Sequence, residues 1–377
     1  ILVETFEKYG FEPAETPLIE YEEFVKGDNP EDEAVSDIFR LKDKGDRKLA
    51  LRYEFTFQLK RLMNNKKLPY KRYQIGEVFR DEPVNSNRFR QFVQCDIDII
   101  GTSENSAREE AEILAIVKEI LDKLGIKFVI YAGNRKLLNE ILEQYNIKEK
   151  DREDVIREID KLDKLSEKEV KENLKKYGAE KILNVLKSKE SFFEIYKEYK
   201  EIEELKKYCK YYGVEIKFLP SLSRGLSYYN GNVFEIKTST IKVLKNQRFL
   251  GPQQSKEETK IFKETICAGG SFEFNGVQST GISLGLDRLA ILSNLKKEKE
   301  KYLIVSLGKD KEAVSITEKL RKQGKVVSLY YGKPSKALQY ANAYNFSSAI
   351  FVGEKEVKAK KFKIKDLKTG KESYLKF

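Results

Sequence analysis

The chain has 377 residues, is 40% hydrophobic and 35% charged, and carries a formal net charge of +11. No apolar run nears the roughly 18 residues of a membrane span, which predicts a soluble protein of two or three domains without a membrane partner. The sequence contains no histidine, which excludes imidazole as a general base and as a metal ligand. The three cysteines include no CxxC pair, which predicts no disulfide framework and no zinc ribbon and favours a cytoplasmic location.

The first part of the chain predicts alternating helices and strands. Residues 1–25 indicate a helix, a turn and a strand within FEPAETPLIE. The opening ILVETFEKYG has the pattern of a helix in progress, so we expect residues before Ile1 in the natural protein. Residues 49–65 predict a short strand entering a helix, and residues 71–83 predict a strand that ends in a polar loop.

The strand predicted at residues 90–101, RQFVQCDIDIIG, has two different faces. Period-two geometry divides its side chains into one polar set and one apolar set, namely Phe92, Gln94, Asp96 and Asp98 against Val93, Cys95, Ile97 and Ile99. The polar face suits a ligand with a cationic amino group, because buried carboxylates need partners. A solvent-facing sheet surface explains the same pattern equally well.

The middle of the chain changes in composition. Residues 104–124 predict an amphipathic helix and 127–133 a strand, after which residues 134–212 have helical spacing of Lys, Glu, Leu and Ile without a strand signal. Strands are predicted again at VEIKFLP, NVFEIKTS and, after a polar loop near 244–258, IFKETICAGGSFEF. Residues 276–295 predict a glycine-punctuated strand that leads into a helix.

The C-terminal segment predicts a small α/β domain. The strands YLIVSL, KVVSLYY and SAIFVG alternate with helices at 310–323 and 335–344, and a basic hairpin follows. Residues 301–377 hold 18 Lys and Arg against 7 Asp and Glu, so the whole excess of +11 lies here. A solvated lysine-rich surface and a polyanion-binding surface both fit this charge.

Three separate segments place arginine at a predicted strand or helix end. Arg80 is two residues from Glu82 in VFRDE, the strand RFRQFVQCDIDIIG begins with two arginines, and Arg288 stands near the start of a helix in GISLGLDRL. Arg224 precedes a further strand, in SLSRGLSYYNGNVFEI. Arginine at such positions suits an anion, above all a phosphate. Taken singly, a surface ion pair, a glycine-rich turn and an ordinary strand entrance are alternative interpretations.

These segments resemble a known family. FRDE followed by RFRQF resembles motif 2 of class II aminoacyl-tRNA synthetases, and GISLGLDRL resembles their motif 3. RFRQFVQCDIDIIG and SRGLSYYNGNVFEI together resemble histidyl-tRNA synthetases, in the style of the archaeal and eukaryotic branch. LRYEFTFQLKR, AGGSFEF and IDKLDKL also resemble segments of that family. The resemblance therefore extends over nearly the whole chain, with the segments in the same order as in the family.

The resemblance implies an α+β fold with a class II antiparallel sheet flanked by helices, a helical insertion and a C-terminal α/β anticodon-binding domain. The implied catalytic domain has two parts, residues 1–133 and 213–298. The implied insertion lies between them at residues 134–212, and the anticodon-binding domain is implied at residues 299–377. The implied partners are ATP with Mg²⁺ as a substrate complex, L-histidine, tRNA(His) and a second copy in a homodimer through motif 1 around Pro17. No protein-bound metal is expected.

The resemblance also implies a reaction, in which ATP activates L-histidine to histidyl-adenylate and the histidyl group passes to the 3' end of tRNA(His). Arg224, Arg80 and Arg288 are the implied catalytic residues. For ATP, Arg80 would hold the α-phosphate and Arg288 the γ-phosphate side with help from Arg88, while Phe92 would stack on adenine and Glu82 contact its edge. The implied histidine-binding residues are Glu54, Thr56, Gln94, Asp98, Arg224, Tyr228 and Tyr229.

The sequence departs from the family pattern at a few positions. Ser227 stands at the aspartate of GLDYY, Ser271 and Phe272 stand at the Arg-Tyr of GGRYD, and Val93 stands where many relatives carry His or Tyr. A non-catalytic paralogue, the regulatory subunit of ATP phosphoribosyltransferase, is therefore an alternative function. That paralogue usually lacks the signature arginine and the anticodon domain. A different class II synthetase is a third alternative.

Overall fold

The computed structural model describes residues 1–27, 33–83, 89–103, 106–224, 227–238, 241–243, 259–261, 265–293, 295 and 300–375. The chain divides into two compact units, Ile1–Asn294 and Leu295–Phe377. Within the described ranges, none of the helices is both long enough and apolar enough to span a membrane.

The first part of the larger unit combines short elements with three long ones. In chain order these are α1 (Leu2–Lys8), β1 (Glu12–Pro13), β2 (Ile19–Tyr21), α2 (Glu22–Lys26), α3 (Glu33–Ser36), β3 (Arg40–Lys42), β4 (Lys48–Leu51), α4 (Leu59–Leu62), a 3-10 turn (Met63–Asn65), β5 (Tyr70–Phe79), β6 (Gln91–Ile100), α5 (Ala107–Leu124) and β7 (Phe128–Asn134). The strand expected in FEPAETPLIE is two separate strands, because neither Pro13 nor Pro17 can donate a ladder hydrogen bond. Sequence analysis missed α2, α3 and β3, which are too short to show a period.

Residues 135–211 are helical, as their spacing predicted. The helices are α6 (Arg135–Gln144), α7 (Glu149–Asp160), α8 (Glu167–Leu174), α9 (Ile182–Val185) and α10 (Tyr199–Tyr211), with 3-10 turns at Lys161–Asp163, Lys175–Tyr177 and Glu190–Ile195. Asn134 caps α6, since its side-chain oxygen accepts the amide hydrogen of Leu137 at 2.8 Å. A capping box between Ser166 and Glu169 starts α8.

The larger unit ends with strands and one helix. They are β8 (Ile216–Phe218), β9 (Tyr229–Thr238), β10 (Ile241–Val243), β11 (Thr259–Ile261), β12 (Thr265–Phe274), β13 (Val277–Gly285) and α11 (Leu286–Leu292). The polar loop predicted near 244–258 lies outside the described residues.

Eight of the described strands form the main sheet, in the order β1-β5-β6-β13-β12-β9-β7-β8. Its pairs are antiparallel except β1 with β5 and β7 with β8. On one face, Cys95, Ile97 and Ile99 of β6 join a large apolar core with α5 and the helices of 135–211. The opposite face of β6 is polar, so the predicted alternation is confirmed and the mainly antiparallel sheet agrees with the predicted fold class.

Gly281 of β13 allows this polar face to form. Gly281 is paired with Asp98 of the neighbouring strand β6. A Cβ atom added at Gly281 would lie only 2.0 Å from Oδ1 of Asp98. Any larger residue would therefore displace the Asp98 carboxylate.

The smaller unit has the expected α/β character. Its elements are β14 (Lys301–Ser306), α12 (Asp310–Lys322), β15 (Val326–Tyr331), α13 (Pro334–Ala343), β16 (Ser348–Val352), α14 (Glu354–Ala359), β17 (Lys363–Asp366) and β18 (Glu372–Tyr374). The sheet order is β15-β14-β16-β17-β18, with parallel pairing among the first three strands and an antiparallel hairpin at the end. The helices α12 and α13 pack in separate apolar clusters on its two faces. Only α14 was not anticipated.

Candidate active site

The polar face of β6 is buried, so the solvent-facing interpretation of its alternation is wrong. Asp98 is only 3% exposed and lies opposite Arg72 of β5, and the two form an ion pair at 2.7 Å. Burial raises the pKa of Asp98 to about 7 and that of Asp96 to about 6, and the positive charge of Arg72 opposes both shifts. This face therefore concentrates ionisable side chains inside the protein.

Glu54 lies in the turn after β4 and reaches the same region. It is 4% exposed, and one carboxylate oxygen, Oε2, accepts a hydrogen bond from the hydroxyl of Tyr228 at 3.2 Å. The other oxygen is buried without a hydrogen-bond partner in the part of the chain that is described. Burial raises the pKa of Glu54 to about 7, while the charge of Arg80 acts to lower it. Its buried oxygen is available to a ligand that donates hydrogen bonds.

The structure brings together Arg80, Glu82 and Phe92, which the sequence separates by up to twelve positions. The guanidinium of Arg80 lies 3.8 Å from the Glu82 carboxylate and 5.3 Å from the centre of the Phe92 ring, and its Nε donates to the carbonyl of Tyr53 at 3.1 Å. A cation over an aromatic face is attractive, so Phe92 and Arg80 form one surface. Arg88 lies outside the described residues.

Arg224 and Arg288 are connected through two residues that sequence analysis missed. Arg224 donates to Oε1 of Glu235 at 2.9 Å, and the other oxygen of Glu235 accepts from the hydroxyl of Thr265 at 3.1 Å. The carbonyl of Thr265 in turn accepts from Arg288 at 2.7 Å. The available signal was Glu235 itself, an acidic residue inside the apolar strand NVFEIKT. Two arginines far apart in sequence thus share one hydrogen-bonded path.

Tyr228 and Tyr229 lie between Glu54 and Arg224. Their ring centroids are 4.7 Å apart, and Tyr228 also contacts Phe272 at 5.9 Å. Burial raises the pKa of both tyrosines, and the charge of Arg224 acts against this at Tyr229. Both phenols are therefore neutral hydrogen-bonding groups at neutral pH.

The remaining predicted histidine-binding residues are buried at different points of the site. Gln94 donates its amide hydrogen to the hydroxyl of Ser283, and its buried Oε1 has no hydrogen-bond partner within the described ranges. Thr56 is buried in the turn before α4, where its carbonyl accepts from the amide of Leu59 at 3.0 Å. Asp98 is engaged by Arg72. No group of three or more metal-ligating side chains occurs within the residues described.

Ser271, one of the positions that depart from the family pattern, belongs to a buried hydrogen-bond network. The hydroxyl of Ser271 donates to one oxygen of Glu110 on α5, and Asn232 donates to the other at 2.7 Å. Asn134 donates to Asn232 at 2.8 Å and to Glu201 at 2.7 Å. Burial raises the pKa of Glu110 to about 7, although both hydrogen bonds to its carboxylate oppose the shift. Ser271 supplies no cation to this network, and the Glu110 carboxyl group therefore remains mostly protonated up to about pH 7.

We expect Glu110→Gln to reduce the pH dependence of stability. Because the pKa of Glu110 is raised from 4.5 to about 7 in the folded state, its stabilising contribution is complete below 4.5 and is lost as pH rises through 7. The shift corresponds to roughly 3 kcal/mol at about pH 8. Urea unfolding of the wild-type and Glu110→Gln proteins between about pH 4.5 and pH 8 measures the difference in the pH dependence of the free energy of unfolding. Glu109→Gln, in the same helical turn, is the matched control, and equal pH slopes for wild type and Glu110→Gln would contradict the prediction.

Sequence comparison places the chain among known proteins. A family model described as histidyl-tRNA synthetase matches residues 1–242, and a model described as an anticodon binding domain matches residues 301–377. A curated relative from Shouchella clausii, named histidine–tRNA ligase 2, is 32% identical over an alignment of 408 positions, which covers 100% of this chain and 93% of the relative.

Solved structures share the fold. The crystal structure of histidyl-tRNA synthetase from Nostoc superposes with a TM-score of 0.78 at 25% identity, and the match covers 99% of this chain and 91% of that one. A structure from Bacillus halodurans, titled as an ATP phosphoribosyltransferase regulatory subunit/histidyl-tRNA synthetase, gives a TM-score of 0.72 at 21% identity, with 93% and 91% covered. At that identity the second match shows the fold alone.

Proposed function

Because this chain belongs to the histidyl-tRNA synthetase family and is a histidine–tRNA ligase, we propose that the residues of the candidate active site carry out histidine activation. In this step a carboxylate oxygen of L-histidine attacks the α-phosphorus of ATP, and the bond to pyrophosphate breaks. Such a reaction needs orientation and charge neutralisation more than covalent chemistry from the protein. The path from Arg224 through Glu235 and Thr265 to Arg288 is the observation that supports this assignment most directly.

The arginines and Phe92 form the proposed ATP side of the site. Arg80 holds the α-phosphate, Arg288 holds the γ-phosphate side, and Arg224 lies between the α-phosphate and the substrate carboxylate. Phe92 stacks on adenine while Glu82 contacts its edge. The distance of 5.3 Å between the Arg80 guanidinium and the centre of the Phe92 ring supports this arrangement of neighbouring phosphate and base contacts. The family resemblance adds Arg88. ATP enters as its Mg²⁺ complex, which we treat as a substrate.

Glu54 and the polar face of β6 form the proposed histidine side of the site. Glu54 receives the α-ammonium group with the help of Thr56, Gln94 and Asp98, and Tyr228 and Tyr229 reach the imidazole. Two buried oxygens support this, Oε1 of Glu54 and Oε1 of Gln94, because neither has a hydrogen-bond partner in the described chain. A site with such groups discriminates strongly against apolar analogues, which would leave them unpaired.

The smaller unit is the proposed contact with the anticodon of tRNA(His). The whole +11 excess lies within it, and positive charge supplies salt-sensitive affinity for phosphates. Tyr331 is 58% exposed and lies two residues before Lys333, so this strand end combines a stacking surface with a cation. We also propose a homodimer through the segment around Pro17 and a cytoplasmic location. The proposed division of the chain before the anticodon-binding domain is residues 1–133, 134–212 and 213–298.

The regulatory-subunit alternative has less support. The curated relative from Shouchella clausii and another from Clostridium acetobutylicum, which is 33% identical, are both named histidine–tRNA ligases. The chain also keeps Arg224 and a match to the anticodon binding domain, the two features that this paralogue usually lacks.

Histidine-dependent exchange of labelled pyrophosphate into ATP tests the proposed activation step. We expect exchange with L-histidine and Mg²⁺-ATP and none with phenylalanine, whose ring offers no hydrogen-bonding nitrogen. Exchange that does not depend on histidine, or its absence in folded full-length protein, would contradict the proposed active site.

A further inference from the structure

A hydrogen bond joins the helical segment 134–212 to the segment that carries Arg224. On α7, Arg157 donates from Nη2 to the hydroxyl of Ser227 at 3.3 Å. The same guanidinium lies 3.4 Å from the carboxylate of Asp154, one helical turn away, which orients it. Ser227 stands three residues after Arg224 and directly before the two tyrosines of the site.

Two further contacts connect the same helices to this segment. Arg135 at the start of α6 is buried, donates to the carbonyl of Arg224 at 3.4 Å, and is held by both oxygens of Glu153 at 2.8 Å. The hydroxyl of Ser223 lies 3.5 Å from the carbonyl of Ile156 on α7. Residues 223, 224 and 227 therefore all contact α6 or α7.

The backbone of Arg224 requires such support. Its φ angle is +66°, in the left-handed region that non-glycine residues seldom adopt. A residue in this conformation is kept there only when surrounding contacts hold it. Glu235 binds the guanidinium of Arg224 from the sheet, whereas Arg135 of α6 donates to its backbone carbonyl.

We propose that Arg157 is a positioning residue for Arg224, acting through the hydroxyl of Ser227. The inference rests on the proposed function, because it assigns Arg157 an effect on the activation step. In this role Arg157 acts by holding Ser227, three residues after Arg224, rather than by binding a substrate. The helical segment thereby contributes to adenylate formation itself, before tRNA takes part. Ser227 is the acceptor in this contact, which gives its departure from the family pattern a structural role.

A double-mutant cycle measures this coupling. We expect Arg157→Ala to lower kcat for histidine-dependent pyrophosphate exchange about tenfold, the size of a lost hydrogen bond to a charged group, with little change in the KM for histidine. Ser227→Ala should have a similar effect, and the double variant should lose no more than either single variant. Ser227→Asp should retain activity and make it more sensitive to Arg157→Ala, since an ion pair replaces a hydrogen bond to a neutral acceptor.

Arg152→Ala is the matched control, because Arg152 lies on the same helix and contacts the carbonyl of Ile147 and the carboxylate of Glu143. It should leave exchange unchanged. Normal kcat in Arg157→Ala, additive losses in the double variant, or an equal loss in Arg152→Ala would overturn the positioning role while leaving the proposed function intact. Wild-type protein without histidine-dependent exchange would overturn the proposed function instead.

Discussion

Arg224→Ala is expected to lower the turnover of histidine-dependent pyrophosphate exchange at least about a hundredfold, because one preorganised charge at a transition state contributes roughly 2.7–4 kcal/mol. The guanidinium is already oriented before substrate binds, since Glu235 accepts its Nη1 hydrogen at 2.9 Å. Its Nε is buried without a hydrogen-bond partner in the described part of the chain. Substrate oxygens would therefore find a fixed donor rather than a mobile side chain.

The loss should fall mainly on kcat, because the proposed role of Arg224 is to neutralise charge that develops during adenylyl transfer, whereas the proposed determinants of histidine affinity are Glu54 and its neighbours. Arg224→Lys keeps a charge near Glu235 but loses the planar fork, so we expect intermediate activity. Arg108→Ala, which removes an exposed arginine beside Tyr208, serves as the control for loss of a guanidinium. Near-normal turnover in a folded Arg224→Ala protein would refute the role assigned to this residue.

Removal of residues 301–377 is expected to abolish charging of tRNA(His) while sparing pyrophosphate exchange. The two compact units meet in sequence at Asn294 and Leu295, and the residues proposed for histidine activation all precede that point. Because the removed part carries the whole net positive charge, the truncated protein should also lose most of the salt-dependent affinity for tRNA. Aminoacylation of tRNA(His) and exchange, measured on the same preparation, separate these effects.

Circular dichroism and thermal unfolding of the truncated protein provide the folding control. The tRNA affinity of the full-length protein, measured at increasing salt concentration, gives a second comparison. We expect salt to lower this affinity toward that of the truncated protein. Charging of tRNA at the full-length rate after truncation would mean that the smaller unit is not the anticodon module.

Several features of the fold could be predicted from local sequence. The alternation in RQFVQCDIDIIG fixed which side chains of β6 share a face, and the structure confirms the division. The helical period of residues 135–211 and the strand and helix order after residue 300 were equally clear. Some elements of three to six residues, including α2, β3 and α14, were missed because they contain too few residues to define a period.

The site shows the same limit. The arginines, the two tyrosines and Glu54 were found through motifs that the sequence contains as continuous stretches. Glu235 and Thr265 were not, because their role exists only once β9 and β12 pair. The Glu235 carboxylate then binds both Arg224 and the hydroxyl of Thr265, whose carbonyl binds Arg288. Likewise, Arg157 reaches Ser227 across 70 positions of sequence.

Sequence by itself determined the family motifs, the composition of each face of β6 and the location of the positive charge. Only the tertiary structure decided that Asp96 and Asp98 are buried rather than solvent-facing, and that Arg72 is the partner of Asp98. The reason is physical: backbone geometry and side-chain period are local, so a short stretch specifies them. The partner and the pKa of a buried charge depend on strand register and desolvation, which arise from contacts between distant segments.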